Sequence, residues 1–153
     1  MLKNSDELNG MREAGKLAAE VLEMITDFVK PGISTGELDE ICFKYITDVQ
    51  RAIPANVGYR GFEKTLCTSI NQVICHGIPD TNRILKSGDI MNIDVTVIKD
   101  GWHGDTSKMF LIGKAQSHNQ RLVRVTQECL YKGIEAARPG ARLGDIGNAI
   151  QIH

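Results

Sequence analysis

Apolar residues recur at helical spacing through most of the first fifty positions of the chain. Over 11–28 they fall three or four residues apart and charged residues fill the opposite side, which is the pattern of an amphipathic helix packed on a core. Ser5 and Asp6 offer a cap for this helix, and the sequence VKPG at 29–32 ends it, because proline cannot continue a helix. The capping sequence STGE then predicts a second helix over 34–49.

The middle of the chain changes to short segments with the period of a β-strand. After a loop rich in turn residues at 52–61, the segments 66–70 and 73–75 read as short strands. Strict alternation over 92–98 predicts a longer strand. The Asp-Gly dipeptide at 100–101 favours a type I′ turn, so the chain returns as the second strand of a hairpin.

One aspartate stands on each strand of this hairpin. If the turn dipeptide occupies the two central positions, Asp94 faces Ser107 and Asp105 faces Thr96. The two aspartates are then diagonal neighbours on one face, with Cβ atoms about 7 Å apart, within reach of a single ion. A slip of one residue would send them to opposite faces. This spacing allows two interpretations, a hard-metal site or two solvated aspartates.

Other residues with suitable chemistry lie close to these segments. His76 stands beside a glycine and can be a ligand, a general acid or a substrate donor, or a loop histidine satisfied by backbone groups. His103 shares the face of the second aspartate and is either a third ligand or a solvated side chain. Tyr59, Phe62 and Cys67 flank glycine-rich turns, where they either line an apolar pocket or pack under a loop.

A nine-residue pattern occurs twice in the chain. The sequences KPGISTGEL at 30–38 and RPGARLGDI at 138–146 are 108 positions apart, and each follows a long helical pattern and opens another helix. This favours internal duplication, with a first repeat over about 6–113 and a second over about 114–153. The second copy stops inside its second helix, so we expect residues 1–153 to form a single, incomplete domain, the amino-terminal portion of a longer protein.

The composition places few further limits on function. With 153 residues, 42% of them hydrophobic, the chain has the composition of one globular domain. A net charge of -1 gives no electrostatic basis for binding nucleic acid or a membrane surface. The first ten residues are polar and no apolar run approaches a membrane span, so we expect a cytoplasmic protein. The four cysteines form no C-x-x-C pair, which favours free, mostly buried thiols.

Three short motifs, in this order and spacing, point to a known family. They are CHGIP at 75–79, NIDVT at 92–96 and HGDTS at 103–107. From residue 6 to residue 151 the chain resembles the type I, bacterial-type methionine aminopeptidases. The resemblance implies an α+β structure, the first half of a pita-bread (creatinase/aminopeptidase) fold. In that fold an antiparallel sheet is covered by helices and the two halves form a pseudo-twofold repeat, whose second copy is truncated here.

The resemblance also implies a function and a set of site residues. The family removes the amino-terminal methionine from nascent proteins and peptides with two divalent metal ions (Fe, Mn, Co or Zn), held by two Asp, one His and two Glu. Asp94 and Asp105 match the two aspartate ligands, and His76 matches the catalytic histidine that hydrogen-bonds the substrate. Tyr59 and Cys67 match positions around the methionine side-chain pocket. Phe62 stands at a position of that pocket where the family often has tyrosine. The ligand histidine and both glutamates are expected beyond residue 153, so this chain alone is expected to be largely inactive.

The resemblance also implies binding partners and leaves two alternative functions. We expect the amino-terminal methionine of nascent polypeptides as the substrate, association with the ribosome, no direct nucleic-acid site, no membrane, and a monomeric intact protein. Two alternatives stay open, a proline-directed peptidase of the same fold and a non-catalytic binding module built on it.

Overall fold

A computed structural model describes residues 4–153 and divides the chain into two compact units. The first unit ends at Ala115, and the second comprises Gln116–His153. Over 4–153, no helix combines the length and the apolar character that crossing a membrane requires.

The first helix, α1, spans Ser5–Ile25. Its cap is Asn4, whose side chain accepts a hydrogen bond of 2.9 Å from the backbone N–H of Glu7. The predicted cap at Ser5 and Asp6 was therefore wrong, and both residues lie in the first helical turn. The helix also ends earlier than its apolar pattern, since Phe28 is 41% exposed and lies outside it.

The second helix, α2, spans Thr35–Lys44 and begins as predicted. Ser34 caps it in a reciprocal capping box with Glu37, whose carboxylate accepts from the Ser34 N–H at 2.8 Å. A single π-helical turn continues it through Tyr45–Val49, which matches the predicted end. A two-residue strand, β1, follows at Ile53–Pro54 inside the segment predicted as loop.

Three further strands complete an antiparallel sheet: β2 at Leu66–Ile70, β3 at Ile90–Lys99 and β4 at Trp102–Leu111. The central strand is β3, which pairs with β4 along one side. Along its other side it pairs with β2 over 91–95 and with β1 over 97–98. The strand predicted at 73–75 was wrong. The chain turns immediately after β2 at Asn71, with φ of 53°, and Ile74 is 94% exposed without a strand partner.

The hairpin between β3 and β4 has the predicted turn and register. Asp100 and Gly101 have φ of 50° and 83°, as a type I′ turn requires. Asp94 pairs with Ser107 and Thr96 pairs with Asp105.

Helix α1 covers one face of this sheet at very short range. The residues of β3 on that face are fully buried: Met91, Ile93, Val95 and Val97. On β4, Gly104 meets the helix backbone so closely that an added Cβ would collide with the carbonyl of Ala14. Gly10 meets the Trp102 ring in the same manner. The absence of side chains at these two glycines therefore sets the distance between helix and sheet.

The second unit consists of two helices, α3 at Ser117–Ala136 and α4 at Leu143–Ile152. They pack through Gly133, whose Cα lies beside Ile146 and Ile150. Both helices agree with the predicted pattern, and α4 has the bounds of α2 displaced by 108 positions. The Pro-Gly turns before α2 and α4 match as well, with φ of 98° at Gly32 and 89° at Gly140. The duplication itself stays a prediction.

Candidate metal centre

The sheet face opposite α1 carries most of the predicted site residues, and we name it the Asp94 face. Side chains alternate along a strand, so the register that buries Val95 and Val97 against α1 directs their neighbours to the other side. The Asp94 face includes Cys67 and Ser69 on β2, Asn92, Asp94 and Thr96 on β3, and His103, Asp105 and Ser107 on β4.

Asp94 and Asp105 lie against each other on this face. Burial raises the pKa of the Asp94 carboxyl, and the negative charge of Asp105 and a hydrogen-bonding contact between the two carboxyl groups raise it further. The nearby charge of His76 acts in the opposite direction. Asp94 is half-buried and Asp105 is exposed. Two carboxyl groups in contact are unfavourable when both are ionised, unless a cation compensates them.

Cys67 lies next to this pair, opposite Asp94 on the neighbouring strand. Only 8% of it is exposed, and burial, followed by the charge of Asp94, raises the pKa of its thiol. A thiol held neutral in this way is a small apolar neighbour rather than a thiolate ligand. All four cysteines are free, but Cys75 is exposed, so the expectation of mostly buried thiols holds for only part of the set.

His76 reaches the site from an irregular segment rather than from the end of a strand. It has φ of 55°, in the left-handed region, and its ring is exposed. The next residue, Gly77, is bonded to β2 through both of its backbone polar groups: Thr68 N–H donates to the Gly77 carbonyl at 2.7 Å, and Gly77 N–H donates to Ser69 Oγ at 3.1 Å. These bonds bring His76 to the Asp94 face.

Of the other predicted site residues, two lie at a short turn and one lies near the end of the hairpin. Tyr59 belongs to a short 3₁₀ turn, is 64% exposed and lies under the guanidinium of Arg60, which is 5.5 Å from the ring centroid. Phe62 follows that turn and is half-buried. His103 shares the Asp94 face but is exposed and pairs with Ile98. The structure thus brings together Asp94, Asp105, Cys67 and His76, and leaves Tyr59 and Phe62 on a separate loop.

The two carboxylates fit a divalent cation as part of a ligand set. Their oxygens are the donors that hard cations prefer, and they are two like charges in contact that a cation would neutralise. In the part of the chain that the structure describes, no group of three or more His, Cys, Asp or Glu side chains converges to hold a metal ion. Asp94 and Asp105 are therefore a candidate pair of ligands and not a complete set.

Sequence reasoning missed a second buried aspartate, Asp39 on α2. It is 7% exposed, and its Oδ1 accepts hydrogen bonds from the N–H groups of Thr65 at 2.8 Å and Leu66 at 3.1 Å. Burial raises the pKa of this carboxyl, although both hydrogen bonds oppose that change. The available signal was its position between Leu38 and Cys42 on the buried side of the helix. Asp39 joins α2 to the start of β2 and so supports the strand that carries Cys67.

Comparison with known proteins identifies the family of the chain. A sequence profile of metallopeptidase family M24 matches residues 9–153. A curated methionine aminopeptidase of Salmonella typhimurium is 60% identical over 150 residues, which are 98% of this chain and 57% of that protein. The chain thus spans little more than half the length of this relative.

Solved structures agree with this family assignment. The crystal structure of methionine aminopeptidase from Rickettsia prowazekii superposes with a TM-score of 0.94 at 54% identity, over 99% of this chain and 61% of that one. Prolidase from Pyrococcus furiosus has a TM-score of 0.80 at 15% identity, over 99% of this chain and 43% of that one, and shows the fold alone. The predicted α+β pita-bread architecture is confirmed as a partial fold. With the profile match extending over nearly its whole length, the chain belongs to metallopeptidase family M24.

Proposed function

We propose that this chain provides part of the active site of a methionine aminopeptidase, which hydrolyses the bond after the amino-terminal methionine of proteins and peptides. The observation that carries the proposal is the contact between Asp94 and Asp105 on a half-buried sheet face. The identity of 60% to the Salmonella methionine aminopeptidase supports the choice of reaction.

Within this proposal, Asp94 and Asp105 hold two divalent cations (Fe, Mn, Co or Zn) together with further ligands. When bound, the cations supply Lewis acidity that polarises the scissile carbonyl and favours deprotonation of water. The two described carboxylates are too few for such a site. The proposal therefore includes one histidine and two glutamates of the whole protein from outside residues 1–153, and little activity for these residues alone.

The remaining residues of the proposal bind and orient the substrate. His76 donates a hydrogen bond to the substrate beside the scissile amide, from a position next to Asp94. Cys67, Tyr59 and Phe62 line the pocket for the methionine side chain. A neutral, buried thiol at Cys67 suits an unbranched thioether because both groups are small, polarisable and weakly solvated.

The wider setting follows from the same reaction. The substrate is the amino-terminal methionine of nascent chains, so we propose a cytoplasmic protein that works near the ribosome as a monomer. The protein recognises a free α-amine beside an apolar side chain.

A chimeric enzyme tests this proposal. Residues 1–153 would replace the matching portion of the Salmonella methionine aminopeptidase, and release of methionine from Met-Ala-Ser would be measured with added Mn²⁺. We expect turnover by the chimera and its loss, by at least about 100-fold, in the Asp105→Asn form. A chimera that folds, as judged by circular dichroism, but does not release methionine would contradict the proposal. Cleavage of Ala-Pro-Ala instead would favour the proline-directed alternative.

A further inference from the structure

We propose that Ser69 is a positioning residue, which holds His76 over the Asp94 face through its hydrogen bond to the backbone of Gly77. The catalytic consequence of this role rests on the proposed function, whereas the conformational role of Ser69 does not.

The contacts around Gly77 form a clamp that has two hydrogen bonds. Ser69 Oγ accepts from the Gly77 N–H at 3.1 Å, and the Gly77 carbonyl accepts from the Thr68 N–H at 2.7 Å. Ser69 and Thr68 are 5% and 4% exposed, so water competes little for these bonds. A Cβ at residue 77 would collide with the Thr68 carbonyl, so a glycine is required for this approach. We name these contacts the Gly77 clamp.

The conformation of His76 needs such a clamp. Its φ of 55° lies in a region that residues with a Cβ seldom adopt, and such a conformation persists only where the surroundings enforce it. Packing does little of this work, because the neighbouring side chains of Ile74 and Ile78 are 94% and 68% exposed. Hydrogen bonds to the backbone are therefore the main restraint on the direction of the imidazole.

Ser69 is the part of the clamp that a side-chain change can remove. The Thr68 bond is made by main-chain atoms and survives substitution, whereas the Ser69 bond depends on a hydroxyl group on the Asp94 face. Without it, the His76–Gly77 peptide loses the hydrogen bond to its N–H group and can rotate, while the Gly77–Ile78 peptide stays bonded to Thr68 through the Gly77 carbonyl. We expect His76 then to leave the left-handed region and its ring to move away from Asp94.

Nuclear magnetic resonance of the labelled chain, at one fixed pH and without metal, tests the conformational role. A residue with φ near 55° gives a strong NOE between its own amide and α protons. We expect this NOE at His76 in the parent chain and its loss in Ser69→Ala, together with a shift of the ring resonances. The matched control is Ser87→Ala, which also removes a hydroxyl that accepts from a backbone N–H, that of Lys114 at 3.0 Å, in another turn. The control should leave the His76 signals unchanged.

Two results would overturn the role of Ser69. One is a folded Ser69→Ala chain in which the NOE and ring shifts of His76 match those of the parent. The other is free hydrogen exchange of the Gly77 amide in the parent chain, a measurement that needs no variant.

Activity in the chimeric enzyme separates this inference from the proposed function. There, Ser69→Ala should lower kcat by up to about 100-fold, with a much smaller change in KM, because it misplaces a group that acts beside the scissile bond. An inactive chimera whose His76 signals still respond to Ser69→Ala would reject the function and retain the clamp. An active chimera in which Ser69→Ala leaves both kcat and the His76 signals unchanged would reject the clamp alone.

Discussion

Two aspartates with raised pKa values differ in what lies around them. Burial is the main cause at both Asp39 and Asp94. At Asp39 two backbone N–H groups from the start of β2 stabilise the ionised carboxylate. At Asp94 the neighbouring carboxyl group of Asp105 disfavours ionisation, and the charge of His76 opposes this effect. Asp39 therefore has hydrogen-bond donors within the fold, whereas Asp94 has a like charge beside it.

The raised pKa of Asp39 makes stability depend on pH. A carboxyl whose pKa is higher in the folded state than in the unfolded chain favours folding most when it is protonated in both states, below about pH 3.9. That contribution is lost as the pH rises through the folded-state pKa. We expect the free energy of unfolding of the parent, relative to Asp39→Asn, to fall over this range. Urea unfolding of both proteins at several pH values measures it.

The asparagine variant is a close control because its side-chain oxygen can still accept from Thr65 and Leu66. It removes the titration and keeps both hydrogen bonds. A difference between the two proteins that is independent of pH, or that grows in favour of the parent as the pH rises, would contradict this explanation.

At the scale of elements, the hairpin was predictable because its determinants are local. Asp-Gly selects the turn, the turn sets the register, and the register places Asp94 and Asp105 on one face. The same holds for α2, whose capping box lies within four consecutive residues.

Elements that depend on distant partners were not predictable in this way. The apolar run at 73–75 has the composition of a strand, but Asn71 turns the chain away from β3 and no strand pairs with it. The position of His76 comes from the pairing of Gly77 with β2. The N–H groups that donate to the buried Asp39 belong to residues 26 and 27 positions further along the chain. The local sequence pattern does not identify partners that become neighbours only in the folded chain.

The packing of α1 on β4 should be sensitive to a single methyl group. Gly104→Ala places a Cβ against the carbonyl of Ala14, and backbone atoms cannot move aside as a flexible side chain can. We expect the free energy of unfolding to fall by about 1–3 kcal/mol, as is typical of overpacking. Gly15→Ala is the matched control within α1, where an added Cβ meets no atom within 4 Å and alanine favours the helix. Equal stabilities for the two variants in urea unfolding would contradict the proposed packing.

At the scale of the molecule, the two units show related designs. Each has a long helix, a Pro-Gly turn and a ten-residue helix, and the turns and the ten-residue helices lie 108 residues apart. The chain also spans 57% of the length of its Salmonella relative, and among its described residues no three His, Cys, Asp or Glu side chains converge to hold one metal ion. The proposed function therefore requires that Asp94 and Asp105 bind a cation.

Paramagnetic broadening by Mn²⁺ tests this claim directly on the chain as it stands. We expect substoichiometric Mn²⁺ to broaden the amide resonances of Asp94, Asp105 and their strand neighbours before others of the first unit. The effect should disappear in an Asp94→Asn, Asp105→Asn chain, which keeps the shape of both side chains and removes their charge. Selective broadening that persists in that variant, or broadening in the parent chain that selects other residues of the first unit, would contradict the assignment of this pair as metal ligands.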